Sequence, residues 1–227
     1  MNPQDYALIV EKALRPLADA SRAESMKAYL RGKFDFLGLS SPVRREAVKP
    51  LAGHKWLSAG ELLQAAQLLW NQPQREFCYT AVDMLRRQYK LLSLRDLAAI
   101  EALMLERPWW ETVDGLAMVI SKVLKRHAPT DSAAWMDAWV SHHSFWVRRA
   151  AMLHQLGWRG QTDFGLLCIY AEQLADEQEF FIRKAIGWAL RDYAKWAPKV
   201  VQEYLQNNRV RFSGLTVREA SKHLTNR

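Results

Sequence analysis

Trp110 and Asp114 stand four residues apart in an apolar, helix-periodic stretch. That spacing puts an indole and a carboxylate on one helix face, one turn apart. An aromatic face attracts a cation, and a carboxylate stabilises positive charge that develops nearby. Glu111 falls on the adjoining face and reads as solvated. A second indole, Trp188, follows Lys184 by four residues and Gly187 by one. A glycine inside a helix costs about 1 kcal/mol relative to alanine, unless something must approach it closely. Two indoles and one acid suit a substrate that is already cationic and loses its charge when a bond breaks. The same indoles also suit ordinary packing between helices, and these residues alone leave both readings open.

The elements that must position these groups are helices. Helical periodicity places them near 3–18, 21–34, 42–52, 58–70, 73–88, 93–106, 108–127, 131–142, 144–156, 161–175, 179–195, 197–207 and 215–224. Apolar runs carry Leu and Ala rather than alternating Val, Ile and Thr, so no strand is expected. Helix starts repeat: Phe145-Trp146-Val147-Arg148-Arg149, Phe180-Phe181-Ile182-Arg183-Lys184 and Leu215-Thr216-Val217-Arg218 share one pattern. Arg148, Arg183 and Arg218 are spaced by 35 and again by 35, and counting back 35 from Arg149 reaches Asp114. A fixed period of this length marks stacked helix pairs. The expectation is an all-α, α-α superhelix of HEAT-like repeats, one domain over residues 1–227, with Asp114, Arg149 and Lys184 lining a concave groove.

Charge points the same way. Lys and Arg number 32 against 24 Asp and Glu, a formal charge of +8. Basic residues at repeat-equivalent positions form a stripe, and duplex DNA offers about one negative charge per 1.7 Å of axis. A polyanionic partner is therefore expected.

Other chemistries find little support. Cys78 and Cys168 are far apart and form no CxxC pair, which argues against a zinc cage or a disulfide framework. His142-His143 has no third ligand nearby and reads as a solvated pair, so neither a metal nor another cofactor is expected. No glycine-rich phosphate loop appears. Ser40-Ser41-Pro42 reads as a helix cap and first turn. Met1 to Asp5 lack the basic start and apolar run of a signal peptide, and no run of 18 apolar residues would span a membrane. A cytoplasmic location is the expectation.

Several segments together resemble the AlkD-type, HEAT-like alkylpurine DNA glycosylases. Met26-Lys27-Ala28-Tyr29 through Phe36-Leu37-Gly38-Leu39 and Arg44-Arg45 resemble that family's N-terminal signature. Trp109-Trp110-Glu111-Thr112-Val113-Asp114 resembles its catalytic helix, and the segments at Trp146–Ala151 and Phe180–Lys195 resemble its groove helices. The likeness runs from about residue 5 to the C-terminus. It implies Asp114 as the catalytic acid, with Trp110 and Trp188 against the lesion-bearing nucleotide. It implies Arg149 on the DNA backbone and Tyr29 near the same cleft; the repeat-equivalent stripe adds Arg148, Arg183 and Lys184, and Arg45 joins them from the N-terminal segment, as expected DNA-binding residues. The implied substrate is double-stranded DNA with purines alkylated at N3 or N7, and the implied product is an abasic site. The leaving base is then pre-charged, so no strong general acid is needed. The sugar develops oxocarbenium character, as in glycoside hydrolysis.

Two other readings stand beside this one. A non-catalytic module would recognise distorted or branched DNA through the same groove. A protein–protein scaffold would carry its positive charge incidentally.

Overall fold

A computed structural model of the chain describes residues 1–224. Thirteen α-helices and several short 3₁₀ turns make up its regular structure among the described residues. The nearest approach to β-structure there is an isolated parallel bridge between Asp35 and Gln74. The fold is all-α, and the helices fall into two compact units, residues 1–103 and 104–227.

The first unit holds α1 (Pro3–Leu14), α2 (Ala20–Tyr29), α3 (Ser41–Ala47), α4 (Ala59–Trp70) and α5 (Arg75–Arg87). Their starts follow local chemistry. The side chains of Asn2, Asp19 and Ser58 accept hydrogen bonds from the first-turn amides of α1, α2 and α4, and proline opens α1 and α3. Three of these helices stop clearly sooner than periodicity predicts, α3 at Ala47 rather than 52, and two of these ends have a local cause. Pro16 lies in the 3₁₀ turn Arg15–Leu17 that ends α1, where it lacks the amide a further turn would use. Arg31 and Gly32 take φ of 59° and 72°, a left-handed turn that ends α2 five residues before position 34. The Phe36–Leu39 signature is built around a buried carboxylate: Glu76 accepts hydrogen bonds from the amides of Leu37, Gly38 and Leu39 at 2.9–3.0 Å. Gly38, at φ 88°, leaves no room for a side chain, since a Cβ there would lie 2.1 Å from the Asp19 carbonyl. That part of the signature is therefore explained by loop architecture.

The division between the units falls within α6 (Leu97–Leu105). The second unit holds α7 (Trp110–Leu124), α8 (Pro129–Val140), α9 (Phe145–Leu153), α10 (Phe164–Gln173), α11 (Phe180–Ala194), α12 (Pro198–Asn207) and α13 (Gly214–Ala220). α7 packs on α9, α9 on α11 and α11 on α13, while α8, α10 and α12 pack against members of that row. Every second helix thus belongs to one row, as the 35-residue period requires. Its apolar side is deeply buried: Val113, Leu116, Ala117 and Ile120 of α7, Val147 and Ala150 of α9, and Ile182, Ala185 and Ile186 of α11 are all 0 % exposed.

Gly187 meets the close approach that its position demands. A Cβ there would stand 2.6 Å from Glu219 Cβ and 2.7 Å from the Thr216 carbonyl oxygen, both on α13. The Gly187→Ala variant should therefore lose about 1–3 kcal/mol through overpacking, against the roughly 1 kcal/mol that alanine gains in an open helix. Chemical denaturation measures this, and a stabilised variant would contradict the packing.

Candidate active site

The site is assembled on α7, α9 and α11. Pro108 precedes α7, and Trp109, in extended backbone, caps it. Trp110 is thus the first helical residue and Asp114 lies one turn further on, both half-buried. Trp109 is buried instead, packing against Trp146 at 5.7 Å and Phe181 at 5.3 Å between ring centroids. Trp146 and Phe181 are themselves 4.9 Å apart. This aromatic cluster fastens together the N-terminal ends of α7, α9 and α11.

The period argument finds its clearest confirmation at Asp114. Its two carboxylate oxygens accept hydrogen bonds from Arg149 Nε at 2.7 Å and Nη2 at 2.8 Å. The remaining terminal nitrogen, Nη1, donates to the Phe181 carbonyl at 2.5 Å. One guanidinium therefore links α7, α9 and α11. The Arg149 side chain is 4 % exposed and that of Asp114 is 15 % exposed, so the acid, not the base, is the reachable partner. The fork geometry uses one acceptor direction on each oxygen and leaves others open. Burial pushes the Asp114 carboxyl above the usual aspartate range; Arg149 opposes that push and Glu111 adds to it. Glu111 is half-buried with Oε2 shielded from solvent, which corrects its expected solvated position. Its helix face turns toward the protein rather than into water.

The other expected site residues divide by exposure. Trp188 is half-buried on α11, one turn beyond exposed Lys184, whose amine lies 5.7 Å from the Phe180 ring centroid. Arg148 and Arg183 do occupy equivalent positions, but both turn back onto the loop before their helix. Arg148 Nη1 donates to the carbonyls of His142 and His143 at 2.6 and 2.9 Å, and the side chain pairs with Glu177 at 2.6 Å. Arg183 Nε donates to the Glu177 carbonyl at 2.7 Å, and Nη2 bonds Gln178. These contacts, like the burial of Arg149, give all three arginines structural work that repeat position alone did not disclose. The Phe181 carbonyl and Glu177 were missed for the same reason: their roles depend on loop path. In the first unit, Tyr29 is 73 % exposed at the end of α2. Arg45 is exposed and shares Asp83 with buried Arg44, at 2.9 and 2.7 Å respectively.

The family model for "DNA alkylation repair enzyme" matches residues 10–224. The chain belongs to that family. This DNA alkylation repair protein is similar to a predicted DNA alkylation repair enzyme from Enterococcus faecalis. The two are 30 % identical with a TM-score of 0.86, over 92 % of this chain and 98 % of the other. It shares its fold with AlkD2 from Streptococcus mutans, at 21 % identity and a TM-score of 0.65 over 88 % and 99 % of the two chains. The smu.31 protein of Streptococcus mutans UA159 has the same fold, at 19 % identity and a TM-score of 0.63 over 81 % and 94 %. No curated protein matches. For a DNA alkylation repair protein the implied substrate is DNA, and no described helix is long and apolar enough to cross a membrane.

Proposed function

We propose that this protein is a monofunctional DNA glycosylase that hydrolyses the N-glycosidic bond of cationic alkylated purines in duplex DNA. The observation that carries this reading is a partly reachable carboxylate, Asp114, held by a buried arginine and one helical turn from an indole. Alkylation at N3 or N7 makes a purine cationic, and the base departs neutral. Asp114 faces the sugar as positive charge builds at C1′ and orients the attacking water. Trp110 and Trp188 bear on the lesion-bearing nucleotide, with cation–π attraction of about 0.5–2 kcal/mol per contact. Arg149 acts as a positioning residue: it fixes the carboxylate and favours its ionised form. The product is an abasic site, and no lysine nucleophile is required.

In the same reading the row α7, α9, α11 and α13 is the inner layer of a HEAT-like superhelix with a basic groove. Exposed Lys184, Tyr29 and Arg45 contact the DNA, while Arg148 and Arg183 shape the groove's loops. The protein works on the nucleoid as a cytoplasmic monomer.

A second reading draws on the same ion pair. Arg149 engages both oxygens of Asp114, which also suits a module that binds distorted DNA without cleaving it. Incubation with N-methylated duplex separates the two. A glycosylase liberates 3-methyladenine or 7-methylguanine and leaves alkali-labile abasic sites. Salt-sensitive binding with no free base would leave the binding module standing.

The raised Asp114 carboxyl sets a pH expectation. Activity needs the ionised form, so it falls as pH drops through the folded-state pKa. The acid limb of the single-turnover rate should lie above the ordinary aspartate range. A limb at or below that range would contradict burial as the dominant influence.

A further inference from the structure

A cleft of about 480 Å³ opens in the second unit where the C-terminal ends of α7 and α9 meet α8 and α10. It shares no lining residue with the Asp114 site, and along α7 it lies about 15 Å away, at 1.5 Å per residue. The volume falls within the range of small-molecule sites, roughly 300–1,000 Å³.

One wall carries His154, only 4 % exposed. Its Nδ1 lies 2.6 Å from the Ala151 carbonyl. A carbonyl only accepts, so Nδ1 holds the proton. Burial lowers the ring's pKa to about 4, so at neutral pH Nε2 carries a lone pair, and no described residue donates to it. His127, also in the wall, has an Nε2 shielded from solvent and without a hydrogen-bond partner.

Three other polar side chains there are already satisfied. Gln155 bonds the Asp163 backbone at both ends, at 2.7 and 3.1 Å. The Trp158 indole N–H donates to Ser121 at 2.7 Å, and Ser132 donates to the Leu124 carbonyl at 3.2 Å. Leu124, Pro129, Ala133 and Leu166 supply the apolar part of the wall, and Lys125, Thr130, Gln161 and Asp163 complete it. The Trp158 ring stands edge-on to His154, with centroids 5.7 Å apart.

We propose that this cleft binds a neutral, flat heteroaromatic molecule of nucleobase size, held by an N–H that it donates to His154 Nε2. The unpaired acceptor selects a donor, and the apolar part of the wall with the Trp158 ring favours a flat ring. Lys125 also lines the cleft, its amine 5.9 Å from the Trp158 ring centroid, but an anionic atom placed against His154 would meet the lone pair of a neutral imidazole.

Hypoxanthine and caffeine discriminate well, since they share the purine skeleton and caffeine has lost every N–H. The experiment is calorimetric titration of the full chain with each, together with nitrogen-15 spectra of the histidine side chains. Hypoxanthine should bind and move the His154 Nε2 resonance, and caffeine should bind at least about tenfold more weakly, as for one lost buried hydrogen bond. His154→Phe keeps the ring and removes the acceptor; it should weaken hypoxanthine by the same factor. Leu166→Trp, which fills the cleft and leaves the histidine in place, should abolish binding and guards against a His154 variant that fails to fold. Equal binding of caffeine, unchanged binding by either folded variant, or no hypoxanthine binding at low millimolar concentration would overturn the proposal.

Discussion

Asp114→Asn should lower the single-turnover release of 7-methylguanine by on the order of 10²–10³-fold, while duplex affinity stays within a few-fold. The size follows from losing one preorganised charge opposite a developing cation. Asparagine keeps the shape and one acceptor oxygen, so Arg149 retains a partner and α7, α9 and α11 stay tied. The residue is partly reachable and does not supply the positive surface that draws in phosphates, which is why binding is spared. Rates and affinities on one defined duplex measure both quantities. Wild-type turnover by the variant would remove Asp114 from the chemistry, and an equal loss of binding would make its role structural.

Arg149→Met should destabilise the chain by about 3–5 kcal/mol, because it leaves a largely buried carboxylate without its counter-charge. For a chain of this length that corresponds to a fall in Tm of roughly 6–20 °C. It also frees the Phe181 carbonyl, loosening the α9–α11 contact. The double variant Asp114→Asn with Arg149→Met should recover part of the loss, since no unpaired charge remains. The pH dependence follows from the direction of the shift. A carboxyl whose folded pKa lies above its unfolded value binds more protons when folded, so stability falls as pH rises between the two values. Without Arg149 the folded value rises further, and the deficit should shrink as pH is lowered from neutral into that window. Thermal melts across pH give the answer. A single variant as stable as wild type would mean that Arg149 does not neutralise Asp114.

The sequence and the structure agree best where periodicity decides. The 35-residue step alone relates Asp114 to Arg149, and the bidentate pair between α7 and α9 matches it. The step works because neighbouring helix pairs bury equivalent faces, so equivalent residues meet. Gly187 was legible for a related reason: a costly residue in a helix interior implied a close neighbour, and α13 supplies it.

What stayed hidden depends on backbone paths that periodicity does not encode. Arg148 and Arg183 have the same repeat position, yet their guanidinium groups reach back to loop carbonyls five or six residues earlier. A solvent-facing stripe and a row of loop clamps look alike in sequence. The early end of α2 likewise rests on φ at Arg31, a conformation that arginine does not advertise. The cleft beside His154 is lined from the ends of four helices, and no local motif announces it.

The account stands most directly on the charge of the leaving base. One measurement tests it: single-turnover release from two duplexes of identical sequence, one carrying cationic 7-methylguanine and the other neutral O6-methylguanine. Free 7-methylguanine with no detectable O6-methylguanine is the predicted result. Release of both at comparable rates, or of neither, would contradict it.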